Sequence, residues 1–194
     1  MNSKHRVILI SGKQGSGKST TAEALVKRLI GVGIEQTRIF KFAGPLYEMH
    51  DAVLSILTKY GVHRPGLVKD GPLLQVLGTE WGRNTVDSNI WVKCAKAQVQ
   101  NWFDRRPNEY AFAILDDCRF ENEFDAFPDA FKIRLECNDK WRKERCSMWR
   151  DNQNHPSEIG LDAYANADKF DLTLWTDTIG KDSVVDRIVY DLKV

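Results

Sequence analysis

The chain has 194 residues, 42% hydrophobic and 28% charged, a composition that builds a packed core and excludes an intrinsically disordered protein. At about 150 residues per domain, this length reads as one compact unit, 1–194. Twenty-eight Lys and Arg against 27 Asp and Glu leave a net charge of +1, which removes the bulk electrostatic case for a nucleic-acid coat or a membrane-surface protein.

Val7-Ile8-Leu9-Ile10 is too short for a signal-peptide core and predicts a buried strand over 6–11. No apolar run reaches the ~18 residues of a membrane span. After a glycine-rich loop, Ala22, Leu25, Val26 and Leu29 mark one face of a helix that Gly31 and Gly33 stop. A second strand is expected over 38–42. Gly44-Pro45 opens a helix carrying Leu46, Met49, Val53, Leu54 and Leu57. Residues 61–72 read as a surface loop, with a helical piece over 72–81. Trp91, Ala95, Val99 and Trp102 mark another helix, ended before Pro107. Residues 111–115 are continuously apolar and stop at Asp116-Asp117, the pattern of a buried parallel strand with polar groups at its C-terminal end. A strand over 131–137, a charged helix over 139–150, a polar loop over 151–167, a strand over 170–175 and a closing helix through Val184, Val185, Ile188, Val189 and Leu192 complete the chain. This alternation predicts a three-layer α/β/α fold on a central parallel sheet of about five strands.

Cys94, Cys118, Cys137 and Cys146 form no C-x-x-C pair and read as reduced thiols of a cytoplasmic protein. His5, His50, His63 and His155 are isolated and read as packing or surface residues.

Gly12-x-x-x-x-Gly17-Lys18-Ser19 fits the phosphate-loop pattern, between a strand and a helix where that motif belongs. Gly12, Gly15 and Gly17 let the backbone approach phosphate oxygens. The amides of Lys13, Ser16 and Thr20 lie in or beside the anion nest. Lys18 places a charge on the β- and γ-phosphates, and Ser19 offers a hydroxyl to Mg²⁺. The motif implies a nucleoside triphosphate, and three readings compete. A GTPase needs N-K-x-D, and the nearest string, Asn138-Asp139-Lys140-Trp141, has the wrong order. A motor or AAA-type ATPase usually needs a longer chain and an arginine-bearing second subunit. A small-molecule kinase needs an acceptor pocket.

The segment 43–110 is far longer than a crossover requires, and it holds Gly78-Thr79-Glu80-Trp81-Gly82-Arg83. Arg83 can grip a monophosphate bidentately, Trp81 can stack on a base or sugar, and Thr79 and Glu80 can hydrogen-bond. The alternative is a helix end with Gly82 as cap, Trp81 packed and Arg83 solvated.

Phe42-Ala43-Gly44-Pro45-Leu46, Leu74-Gln75-x-Leu77-Gly78-Thr79-Glu80-x-Gly82-Arg83, Trp91-Val92 and Asp117-Cys118-Arg119-Phe120-x-Asn122-Glu123 together resemble the deoxynucleoside monophosphate kinases of tailed bacteriophages. The resemblance implies transfer of the ATP γ-phosphoryl group to a dNMP with Mg²⁺, in the host cytoplasm if the chain is phage-encoded. It makes Arg83 the acceptor-phosphate arginine and places Phe42, Ala43, Leu46, Thr79, Glu80, Trp81, Trp91, Arg119 and Glu123 around the acceptor. It favours Asp117 over Asp116 as the carboxylate beside Mg²⁺, with a helix N-cap as the plain alternative for either. Alternative activities are a dephospho-coenzyme A kinase-like or adenylate kinase-like reaction, or a P-loop ATPase switch. A homodimer is left open, with no nucleic-acid or membrane partner expected.

A lid is expected over 139–162. Arg142 and Arg145 share a helix face, with Arg150 near it, and would reach the γ-phosphate as catalytic residues beside Lys18, Asp117 and Arg119. The alternative is a solvated charged helix with pairs such as Lys140–Glu144. Asn154-His155-Pro156-Ser157-Glu158 resembles the same family's H-x-S-E string and would close the lid. The adenine is expected near 176–180.

Overall fold

The computed structural model describes residues 4–62, 69–146, 149 and 156–194. Five parallel strands form one sheet in the order β2-β3-β1-β4-β5: β1 His5–Ser11, β2 Gln36–Phe40, β3 Ala111–Cys118, β4 Phe131–Glu136 and β5 Leu172–Trp175. The main helices are α1 Lys18–Gly31, α2 Gly44–Lys59, α4 Ile90–Asp104 and α9 Lys181–Leu192. Short helices α3 Gly71–Gln75, α5 Glu121–Asp125, α6 Asp139–Arg145, α7 Pro156–Ile159 and α8 Asp162–Asn166 lie in the connections. Among the described residues no helix is long and apolar enough to cross a membrane.

The period of two along β1 divides the core. Val7 and Leu9 pack with Val92, Val99 and Phe103 of α4. Ile8 and Ile10 pack with Leu25 and Leu29 of α1 and Ile188 of α9. Both faces of the sheet are thereby covered, as a parallel sheet requires. The three-layer α/β/α expectation and the five strands are both present.

Four local departures from the sequence reading have physical causes. Strand β2 ends at Phe40 rather than 42, because the amides of Phe42 and Ala43 donate to Asp117 instead of to a ladder. The piece expected over 72–81 is one α-helical turn followed by an eleven-residue π-helix, Val76–Val86. The charged helix closes at Arg145, and its expected continuation lies partly outside the described residues. The polar stretch 151–167, where described, holds α7 and α8.

Candidate active site

The phosphate loop leaves β1 at Ser11 and enters α1 at Lys18. Gly12, Gly15 and Gly17 all have positive φ, a region that L side chains avoid. Gly15 is also fixed by contact, since a Cβ there would lie 2.5 Å from the carbonyl of Arg142. Lys18 is buried, and its Nζ donates to the carbonyls of Gly12 (2.7 Å) and Lys13 (2.9 Å). Burial pulls its pKa down to about 7, with the nearby Arg119 charge adding to the effect. The buried Ser16 hydroxyl oxygen has no hydrogen-bond partner among the described residues. The Lys13 ammonium pairs with Asp162 at 3.0 Å, so this residue gives the loop its backbone only. Thr20 lies exposed on α1.

A cleft of about 360 Å³ opens beside this loop. Lys18 and Ser19 line it together with Asp116 and Asp117, Arg83, Arg119 and Phe120, and Phe42, Ala43 and Leu46. A β-bulge lies at the two aspartates. Along β1 the register advances two residues, from Leu9 to Ser11, while β3 advances three, from Leu115 to Cys118. The extra residue breaks the alternation, so Leu115 and Cys118 share one core face and the adjacent carboxylates are re-aimed between them. Asp116 is buried, is paired with Lys41 at 2.8 Å, and acts electrostatically on Lys18. Asp117 accepts from the amides of Phe42 (2.9 Å) and Ala43 (3.1 Å), one on each oxygen. Burial raises its pKa, against the opposing pull of those two hydrogen bonds. Asp117 therefore holds the 42–43 backbone at the rim of the cleft.

Arg83 projects from the π-helix, stacks 4.9 Å over the Phe120 ring and lies 3.5 Å from Glu123. Glu123 is buried at the first turn of α5. Its carboxylate accepts from the amides of Arg119 (2.8 Å) and Phe120 (3.2 Å). Burial pushes its pKa up to about 7. The π-helix is positioned by close approach at Gly82, where a Cβ would lie 2.7 Å from the Trp91 ring. The Trp91 indole donates to the Gly78 carbonyl at 2.9 Å. Trp91 is thus a buried cleft-lining residue that also supports the π-helix at Gly78 and Gly82.

A family model described as an AAA domain matches residues 8–162. The chain belongs to the AAA domain family. The fold of this AAA domain is similar to solved P-loop kinases. Mycobacterium tuberculosis APS kinase CysC, in complex with AMPPNP and APS, aligns at TM-score 0.53 and 15% identity over 98% of both chains. The shikimate kinase of Bacteroides thetaiotaomicron aligns at TM-score 0.51 and 13% identity over 97% of this chain and 99% of that one. TT1252 from Thermus thermophilus aligns at TM-score 0.58 and 14% identity over 96% and 95%. No curated protein matches in sequence.

Four expected site residues of the AAA domain lie elsewhere. Glu80 and Trp81 are exposed and do not line the cleft, because the π-helix turns Thr79 and Arg83 inward and the two residues between Thr79 and Gly82 outward. Arg142 is buried against the outer side of the phosphate loop, donating to the Gln14 carbonyl at 3.2 Å and pairing with Asp139. Arg145 donates to Thr176, whose hydroxyl donates to the Ser16 carbonyl at 3.0 Å. Both arginines brace the loop rather than line the cleft. Arg150 lies outside the described residues. Lys41, Tyr47, Leu74 and Phe120 line the cleft without having been expected. Lys41 adjoins the Phe-Ala-x-Pro-Leu string but falls inside the strand expected over 38–42, so the sequence carried no signal for it.

The depressed Lys18 pKa has a consequence for ligand binding. A triphosphate beside Nζ favours the ammonium and lifts the pKa above about 7. At about pH 8 binding is then accompanied by uptake of up to about one proton per site, and affinity falls as pH rises. Titration calorimetry with a non-hydrolysable ATP analogue, in buffers of different ionisation enthalpy, reads this directly. Zero uptake or proton release would show that Lys18 is already charged in the free protein.

Proposed function

We propose that this AAA domain is an ATP-dependent deoxynucleoside monophosphate kinase, acting in the cytoplasm, that converts a dNMP to a dNDP. The observation that carries the reading is the continuity of one cleft from Lys18 and Ser19 to Arg83 and Arg119. An ATPase switch needs the first pair alone. The second pair adds two guanidiniums to the cleft of a triphosphate loop, which suits a second phosphorylated ligand.

In this reading the loop amides and Lys18 hold the donor phosphates. Arg83, stacked on Phe120 and steadied by Glu123, grips the acceptor phosphate. Phe42, Ala43 and Leu46, with Thr79 and Trp91, line the acceptor nucleoside. Arg119 stands between the two phosphate positions and offsets their repulsion. Phosphoryl transfer asks for little covalent work, so in-line positioning and positive charge supply the catalysis. Asp117 fixes the backbone of the acceptor rim. The Ser19 hydroxyl and the buried Asp116 carboxylate are hard oxygen donors in the same cleft and fit Mg²⁺, which when bound neutralises charge on the β- and γ-phosphates. This gives Asp116 the metal-side role that the sequence reading preferred for Asp117. The insert 43–110 is the acceptor-binding part of one catalytic unit. Residues 139–146 and 156–162 brace the phosphate loop from outside.

The test is a coupled ADP-release assay with each of the four common dNMPs, the matching ribonucleotides, adenosine 5′-phosphosulfate, shikimate and no acceptor. Turnover that requires a dNMP supports the reading. Acceptor-independent turnover would replace it with an ATPase switch, and turnover on a non-nucleotide acceptor with another P-loop kinase.

A further inference from the structure

We propose that Glu158 is a positioning residue that sets the Arg119 guanidinium against the phosphate loop. The inference rests on the kinase reading above.

Glu158 lies on α7, about forty residues along the chain from Arg119, yet its side chain is 4% exposed between Arg119 and the phosphate loop. Burying a carboxylate is costly unless donors meet it. Two do, one from each side of the site. Oε1 accepts from Nη1 of Arg119 at 2.6 Å, and Oε2 accepts from the backbone amide of Gln14 at 2.6 Å. The carboxylate is therefore a strut between a cleft-lining arginine and the loop that would carry the triphosphate.

The strut uses only part of the guanidinium. Nη1 donates to Glu158 and to the Ser157 carbonyl at 3.2 Å. Nε and Nη2 have no protein acceptor among the described residues, while Arg119 lines the cleft. One edge of the fork is thus fixed to the chain, and the other is kept for ligand oxygens. The backbone of Arg119 is fixed separately, by Glu123, so the side-chain direction is what Glu158 adds. Charge follows the same logic. Lys18 and Arg119 repel each other in a buried setting, and Glu158 offsets that repulsion at Lys18. A guanidinium without this partner would keep its charge and lose its direction, and misplacing a group by about 1 Å can cost roughly 10²-fold in rate.

The test is a cycle of Glu158→Gln, Arg119→Ala and the double variant, in full-length protein. Glu158→Gln keeps the size and one acceptor oxygen but loses the charge. The expected result is a kcat lower by roughly 10²-fold, with both KM values within roughly threefold of wild type. The double variant should be no slower than Arg119→Ala alone, because Glu158 acts through that residue. Additive losses would overturn the inference, and so would wild-type kcat in Glu158→Gln or KM values that rise as kcat falls. A merely structural strut would lower the melting temperature and the active fraction but leave the two losses additive. Should Glu158→Gln fail to fold, Glu158→Asp, which keeps the charge on a shorter arm, is read instead. It is expected to lower kcat without moving either KM, and wild-type kcat there overturns the inference. A wild-type protein inactive on every nucleotide acceptor sinks the kinase reading, whereas an active wild type with additive losses sinks only the role of Glu158.

Discussion

Lys18→Ala is expected to lower kcat by roughly 10³-fold, the scale for removing a preorganised charge from a desolvated phosphoryl-transfer site. The ammonium is buried among the loop carbonyls of Gly12 and Lys13, where the phosphate loop aims it. The folded protein should survive the change. A lysine with its pKa pulled down to about 7 costs stability wherever the unfolded chain binds the extra proton. Below its unfolded pKa, and down through about pH 7, the native state resists that proton, so stability rises with pH across this window. Alanine removes the burial penalty together with the charge. The melting temperature at neutral pH should therefore stay level or rise while turnover collapses. Steady-state kinetics and a thermal melt on the same preparation check both parts. A variant with turnover close to wild type would remove Lys18 from the donor site.

Arg83→Ala is expected to act on the other half of the cleft. A charge-assisted hydrogen bond contributes about 1.5–3 kcal/mol, so the KM for the acceptor should rise by roughly 10 to 10²-fold. The KM for ATP should hardly move. Stability should fall little, because the partner Glu123 already has its pKa raised to about 7 by burial. Without the arginine it takes up a proton rather than remaining a lone buried charge. Initial rates over a matrix of both substrates separate the two constants. An unchanged acceptor KM would mean that the π-helix does not face the acceptor.

How much of this was legible in the sequence depended on how local each signal was. The strands and the phosphate loop were readable because Val7 to Ile10, residues 111–115 and Gly12 to Ser19 each announce themselves in a few adjacent residues. The division of labour between Asp116 and Asp117 was not, because their partners, the Lys41 ammonium and the amides of Phe42 and Ala43, come from a distant segment. Trp81 and Arg83 both read as acceptor groups because they sit within one six-residue string, which does not say which side chains face the cleft. The wider turn of the π-helix exposes Trp81 and brings Arg83 over Phe120. Arg142 and Arg145 share a helix face by spacing alone, and that shared face is what assigns them to the γ-phosphate. Their partners, the Gln14 carbonyl and Thr176, come from distant segments. The Glu158 bridge joins the segments that follow β1 and β3 and had no local signal beyond its short string.

The central claim is that one cleft accepts two nucleotides with their phosphates facing each other. The most direct measurement is the affinity of an adenosine–deoxynucleoside bisubstrate compound bridged by an oligophosphate. The account predicts tighter binding than either mononucleotide gives, lost in part in Lys18→Ala and in part in Arg83→Ala. Affinity equal to that of ATP alone, and indifferent to Arg83, would contradict it.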